Sequence, residues 1–183
     1  MHDTYSSPLS ARYASRAMLE LWSPFERHRL WRELWIALAE SEMELGIDIP
    51  AAAIAEMRAA AGDIDFAAAA KYEERFRHDV MAHVHTFADA APSARRFIHL
   101  GATSAFVTDN TDLILMHRAL GMLRSRAIDV VRALAQFAET WKDEPTLGYT
   151  HLQPAQLTTV GKRATLWMQD LILDIQDLDY RLA

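Results

Sequence analysis

Nine apolar residues step along the chain by three and four in strict alternation: Leu113, Met116, Leu120, Leu123, Ala127, Val130, Leu134, Phe137 and Trp141. A strand turns every second residue to one face, whereas a helix turns every third or fourth, so this stretch can only be helical. The alternation is a heptad seam. It predicts a helix from about Asp109 to Trp141, on the order of 50 Å long at ~1.5 Å per residue. A second apolar line through Ile128, Val131, Ala135 and Ala138 predicts more than one packing neighbour. Leu157, Val160, Ala164, Met168, Leu171, Ile175, Leu178 and Leu182 form another seam. Two such helices cannot bury this much apolar surface by themselves, so partner helices are expected from further chain or from other copies. No Gly, Asn or Pro closes the last seam, which predicts that these residues are part of a longer natural protein or one product of a cut.

The first hundred residues carry shorter elements. Ser23-Pro-Phe-Glu26 has the form of a capping box with proline in the first turn, and Trp31, Leu34, Trp35, Leu38 and Leu45 follow at helical spacing up to Gly46. Short helices are expected after Pro50 and after Asp65, and an amphipathic one over 77–91. In that last helix Val80, Val84 and Phe87 share the apolar face, and His83 and His85 are expected on a solvated or interface face. The expected fold is all-α: a small N-terminal helical domain, 1–103, followed by the start of a long-helix bundle, 104–183. Six glycines and six prolines in 183 residues suit that class.

A net charge of −6 argues against a nucleic-acid partner, which calls for a basic face. The chain has no cysteine, which excludes disulfides and thiolate metal sites. No signal-peptide core and no membrane-length apolar run occur, so a soluble cytoplasmic protein is expected.

Polar groups gather at four places. Pro145 to Arg163 lies between the two long helical patterns and holds hydroxyls, two Gln, Lys162, Arg163 and His151. His151 alone in that stretch titrates near neutral pH, which makes it a natural proton donor or acceptor; a plain helix connection fits the composition as well. Residues 1–15 read as an irregular arm, and equally as an arm bearing an anion-binding pair, Arg12 and Tyr13. Arg77, His78 and Asp79 stand where a helix begins, a setting for an anion. His99-Leu-Gly-Ala-Thr-Ser104 is a short turn with two hydroxyls, Thr103 and Ser104. His78 and His85 are too far apart for a helical zinc pair, and no metal is expected. Asp170, Asp174 and Asp177 read as a solvated helix face.

The wording of these stretches is specific. Gly148-Tyr-Thr-His-Leu-Gln-Pro-Ala-Gln-Leu-Thr-Thr-Val-Gly-Lys-Arg163 resembles the Thr-His loop of the fumarase/aspartase superfamily, in the form of its adenylosuccinate lyase branch. Ser10-Ala-Arg-Tyr-Ala-Ser15, Arg77-His-Asp-Val-Met-Ala-His-Val-His85 and His99–Ser104 resemble the same branch, in its order and at similar spacings. The resemblance implies a β-elimination that splits a C–N bond of a succinylated purine nucleotide and releases fumarate, without a cofactor. It implies His151 as general acid, with Thr150 and Gln153 shaping a carboxylate pocket and His78 near the reacting centre beside Arg77 and Asp79. Arg12 and Tyr13 would hold the phosphate, and Thr103 and Ser104 the succinyl part. It also implies a homotetramer with active sites built from three subunits. The family's serine base lies in a Gly-Ser-Ser-x-x-Met-Pro-x-Lys-x-Asn-Pro loop that does not occur among these residues. Activity is therefore expected of a full-length protein and not of this chain alone. The rival readings are an argininosuccinate lyase-like enzyme and a helical scaffold without chemistry.

Overall fold

The computed structural model describes residues 5–183; the first four residues of the expected N-terminal arm lie outside them. The chain divides into two compact units, one ending at Leu115 and one running from Met116 to Ala183.

The first unit opens with a five-residue π-helical turn, Leu9–Tyr13, and a short helix α1, Arg16–Leu21. Helix α2, Pro24–Glu44, starts where the capping box predicts: Ser23 Oγ accepts from the Glu26 N–H at 3.2 Å. Gly46 follows it at φ 96°, a left-handed geometry that glycine adopts without steric cost. Helix α3 spans Ala51–Ala60, and α4 spans Phe66–Phe76 with Asp65 accepting from the Ala68 N–H at 2.9 Å. Helix α5 covers Asp79–Ala90. Trp31, Trp35, Ile36, Ala53, Met57, Val80 and Phe87 form the core between these helices. Arg32 is buried there as well, donating to the carbonyls of Ala60 and Asp63 with its guanidinium 4.6 Å over the Phe87 ring. Those carbonyls lie at and just beyond the end of α3, where the helix dipole is negative, which offsets part of the cost of burying the cation; burial still pushes Arg32 down to about 10.

His83 departs from expectation. It is 7% exposed and lies flat against His28, ring centroids 3.7 Å apart, with the edges of Trp31 and Phe66 around the pair. Position 83 is three residues from Val80 and four from Phe87, which places it on the same buried stripe as both. Burial pushes His83 down to about 4, and His28 in the same direction.

Helix α6 runs from Ser104 to Thr140, five residues earlier than the seam suggests. Its first turns belong to the first unit, where Val107, Thr111 and Leu115 are fully buried at i, i+4 spacing and Arg27 pairs with Asp112 at 2.8 Å.

In the second unit α6 packs antiparallel to α7, Val160–Leu182. Arg124 pairs with Asp179 far from the connection, and near it a Cβ on Gly161 would strike the Ala138 carbonyl and come within 2.7 Å of the Lys142 backbone. Only glycine permits that approach. The connection forms the one sheet among the described residues, an antiparallel hairpin of β1, Pro145–Thr150, and β2, Gln153–Thr159. Its register pairs Leu147 with Leu157 and Thr150 with Gln153, with a bulge between Leu147 and Tyr149. The residues of the first seam stay open: Met116, Leu123, Val130, Phe137 and Trp141 are 42–50% exposed. Asp177 pairs with Arg181 at 2.8 Å, as befits a solvated helix face. No described helix is long and apolar enough to cross a membrane.

Candidate active site

A two-residue hairpin turn of type I′ requires positive φ at both positions, which normally selects Asn-Gly or Gly-Gly. Here the turn is His151-Leu152, at φ 50° and 62°. Left-handed backbone costs an L-residue roughly 1–2 kcal/mol. Leu152 is fully exposed and regains nothing by burial. The closing pair is Thr150 and Gln153, so three sequence-derived candidates sit together at the hairpin tip. Beside the tip lies an open groove of about 810 Å3, lined by Tyr149, Thr150, Gln156, Thr158, Lys162 and Arg163 among others. The first amides of α7 do not supply its positive character. Val160 N–H donates to Glu144, Gly161 N–H to Trp141, and Lys162 N–H to the capping hydroxyl of Thr159. The charge comes from the side chains of Lys162 and Arg163, and Arg163 is steadied by donating to the Leu147 carbonyl at 3.2 Å.

In the first unit, Arg77 ends α4 in the left-handed region at φ 55°, its N–H donating to Glu73 at 2.7 Å. His78 then caps α5, its Nδ1 accepting from the Met81 N–H at 3.4 Å. An accepting Nδ1 puts the proton of a neutral ring on Nε2. That nitrogen lies 3.4 Å from the hydroxyl of Ser104. Asp79 accepts from the Val80 N–H at 2.8 Å and lies 3.5 Å from His78 Nδ1. The fold thus joins two separate stretches, 77–79 and 103–104, into one polar cluster with Thr103 exposed beside Ser104. His99, quoted in the sequence motif without a role, belongs to the same neighbourhood: burial lowers its titration, and the charge of a protonated His78 would lower it further. It too is left-handed, at φ 66°. Histidine is among the few non-glycine residues enriched at positive φ, so the conformation is uncommon there but not foreign to it.

Arg12 and Tyr13 lie in the π-helical turn and not in irregular chain; both are exposed, Tyr13 by 74%. Thr150, His151 and Gln153 belong to the second unit and the other candidates to the first. No group of three or more His, Cys, Asp or Glu placed to hold a metal ion occurs among the described residues.

Among the described residues, the non-glycine positions with positive φ are Arg77, His99, His151 and Leu152. All four fall inside the sequence stretches singled out for chemistry. Backbone strain of this kind, of order 1–3 kcal/mol per residue, concentrates at functional sites.

Comparison with known proteins shows the family of the chain. The sequence model of a family described as lyase matches residues 7–182. The adenylosuccinate lyase of Schizosaccharomyces pombe is 50% identical over 179 residues, covering 96% of this chain and 37% of the yeast protein. That of Saccharomyces cerevisiae is 49% identical over 181 residues, covering 97% of this chain and 38% of the relative. The chain therefore spans little more than a third of these curated relatives. Among solved structures, a fumarate lyase from Mesorhizobium sp. BNC1 superposes with a TM-score of 0.82 at 27% identity, over 97% of this chain and 41% of the other. The 3-carboxy-cis,cis-muconate lactonizing enzyme of Pseudomonas putida superposes with a TM-score of 0.80 at 28% identity, over 94% and 40%.

Proposed function

The chain belongs to this lyase family, and from that premise we propose that it is the N-terminal part of an adenylosuccinate lyase. In the proposed reaction a base removes a proton from the carbon beside a succinyl carboxylate. The electron pair forms the C=C bond of fumarate, the C–N bond breaks, and an acid protonates the departing purine nitrogen. His151 is the proposed acid, and Thr150, Gln153 and the Lys162–Arg163 groove receive a carboxylate. Arg12 and Tyr13 are assigned to the phosphate, Thr103 and Ser104 to the succinyl group, and Arg77, His78 and Asp79 to the neighbourhood of the reacting centre. The serine base is assigned to a segment other than residues 1–183, so this chain alone is proposed to be inactive. The complete enzyme is proposed to be a cytoplasmic homotetramer, in which the open seam of α6 meets other helices.

The observation that carries this reading is the His151-Leu152 turn. A structural hairpin would favour Asn-Gly there; an exposed histidine held in a costly conformation is explained by a task at the tip. The experiment is a chimaera in which residues 1–183 replace the matching segment of the S. cerevisiae relative. It should cleave adenylosuccinate, followed by the absorbance change on fumarate release. His151→Ala in the same chimaera should lower kcat by about 10²–10⁴-fold, the usual contribution of a positioned acid or base. A folded chimaera without turnover, or one indifferent to His151→Ala, refutes the assignment.

A further inference from the structure

Trp35 is 0% exposed on α2, its indole fixed by the rings of Trp31 at 6.2 Å and Phe87 at 6.1 Å. The side chain has one polar atom, an N–H that donates and cannot accept. It donates to Nδ1 of His99 at 3.0 Å, the two rings standing edge to face at 5.9 Å. A buried indole needs an acceptor, and a backbone carbonyl would satisfy it. An imidazole nitrogen differs from a carbonyl in one respect, because accepting there selects a tautomer. His99 meets the indole from left-handed backbone at φ 66°, at the entry to the turn that leads to Thr103 and Ser104.

We propose that Trp35 is a positioning residue that holds His99 as the neutral imidazole with its proton on Nε2, so that the ring serves the 99–104 turn as a hydrogen-bond donor to an anionic ligand and not as a base. Protonating the ring would place a second N–H on Nδ1, facing the indole N–H, and the bond would be lost. Burial of the ring opposes protonation, and so does the charge that His78 would carry if protonated. An acidic group beside the turn is Glu42 on α2, whose Oε1 lies 3.7 Å from where a Cβ on Gly101 would stand. Burial pushes Glu42 itself toward its neutral form, which weakens its support for a charged His99. At His78 the Met81 N–H donates to Nδ1 at 3.4 Å while an Asp79 carboxylate oxygen lies 3.5 Å from the same nitrogen, so that ring lacks the single-donor arrangement of His99. The ligand role rests on the lyase reading; the tautomer does not.

The test is a long-range proton–nitrogen correlation spectrum of the chain with 15N-labelled histidine, the His99 signals assigned by their loss in His99→Asn. The expected result near neutral pH is a single tautomer protonated on Nε2, with a titration midpoint below the ~6.5 of an unperturbed histidine. In Trp35→Phe, the tautomer protonated on Nδ1 should appear and the titration should move back toward ~6.5. A wild-type ring with its proton on Nδ1, an ordinary titration midpoint, or a Trp35→Phe spectrum identical to wild type overturns the proposal. If Trp35→Phe fails to fold, the wild-type spectrum still decides. The spectrum needs no substrate, so an inactive chimaera refutes the lyase reading alone and a wrong tautomer refutes this inference alone.

Discussion

Acid should unfold the first unit through the His28–His83 stack, and His83→Phe should remove most of that sensitivity. His83 is 7% exposed and is pushed down to about 4, first by burial and then by the neighbouring charges of His28 and Arg32, with Asp79 opposing. His28 is lowered too, chiefly by burial; Arg27 and Arg32 add to this, while the Pro24 backbone and Asp79 oppose it. The unfolded chain binds protons at His83 from ~6.5 downward, whereas the folded chain does so only near its lowered value, so the unfolded state holds more protons between them. Stability therefore falls as pH drops through that window and is fully present above it. A shift of one unit corresponds to about 1.4 kcal/mol, so a fall from neutral pH to about 4.5 should remove about 2 kcal/mol through His83. That is a large share of the ~5–15 kcal/mol typical of a domain. Urea denaturation followed by circular dichroism, at both pH values, measures the loss. Carboxylates titrate in the same range, so the decisive quantity is the difference between wild type and His83→Phe. Phenylalanine keeps a flat ring against His28 and cannot take a proton. Equal losses in the two proteins would show that the stack accepts protons as readily folded as unfolded, and the burial argument would fail.

Gly161→Ala should destabilise the α6–α7 pair by about 1–3 kcal/mol, the cost of overpacking, because the new methyl meets the Ala138 carbonyl and the Lys142 backbone; an unchanged thermal midpoint would contradict the close approach. Arg12→Ala in the chimaera should weaken binding of adenylosuccinate by about 1.5–3 kcal/mol, the scale of a charge-assisted hydrogen bond. Titration calorimetry should show a smaller loss for the dephosphorylated analogue, and equal losses would remove the phosphate assignment. The 183-residue chain by itself should be helical, self-associated and inactive. Association follows because Met116, Leu123, Val130, Phe137 and Trp141 stay largely exposed, and burying each such side chain is worth about 1.5–3 kcal/mol. Light scattering that shows a monomer would refute the expected association, and fumarate release free of host enzyme would refute the expected inactivity.

Periodicity and capping chemistry determined the helices, because both act between residues three or four apart. Ser23 and Asp65 cap as their sequence predicts, and the alternation from Leu113 to Trp141 lies within a single helix except for Trp141 itself, just past its end. The motif stretches were legible for the same reason: their residue types and order stand in the chain before it folds. The hairpin was not legible. Its turn lacks Asn-Gly, Pro154 stands inside a strand, and its pairing joins residues whose partnership no local pattern announces. Nor was the burial of His83, since a histidine on an apolar stripe reads alike whether it meets solvent or another ring; only α2, bringing His28 to 3.7 Å, decided it. The contact of His78 with Ser104 and the bond from Trp35 to His99 span 26 and 64 residues. Local rules reach about one helical turn. What lies beyond that reach is set by which helices the core brings together.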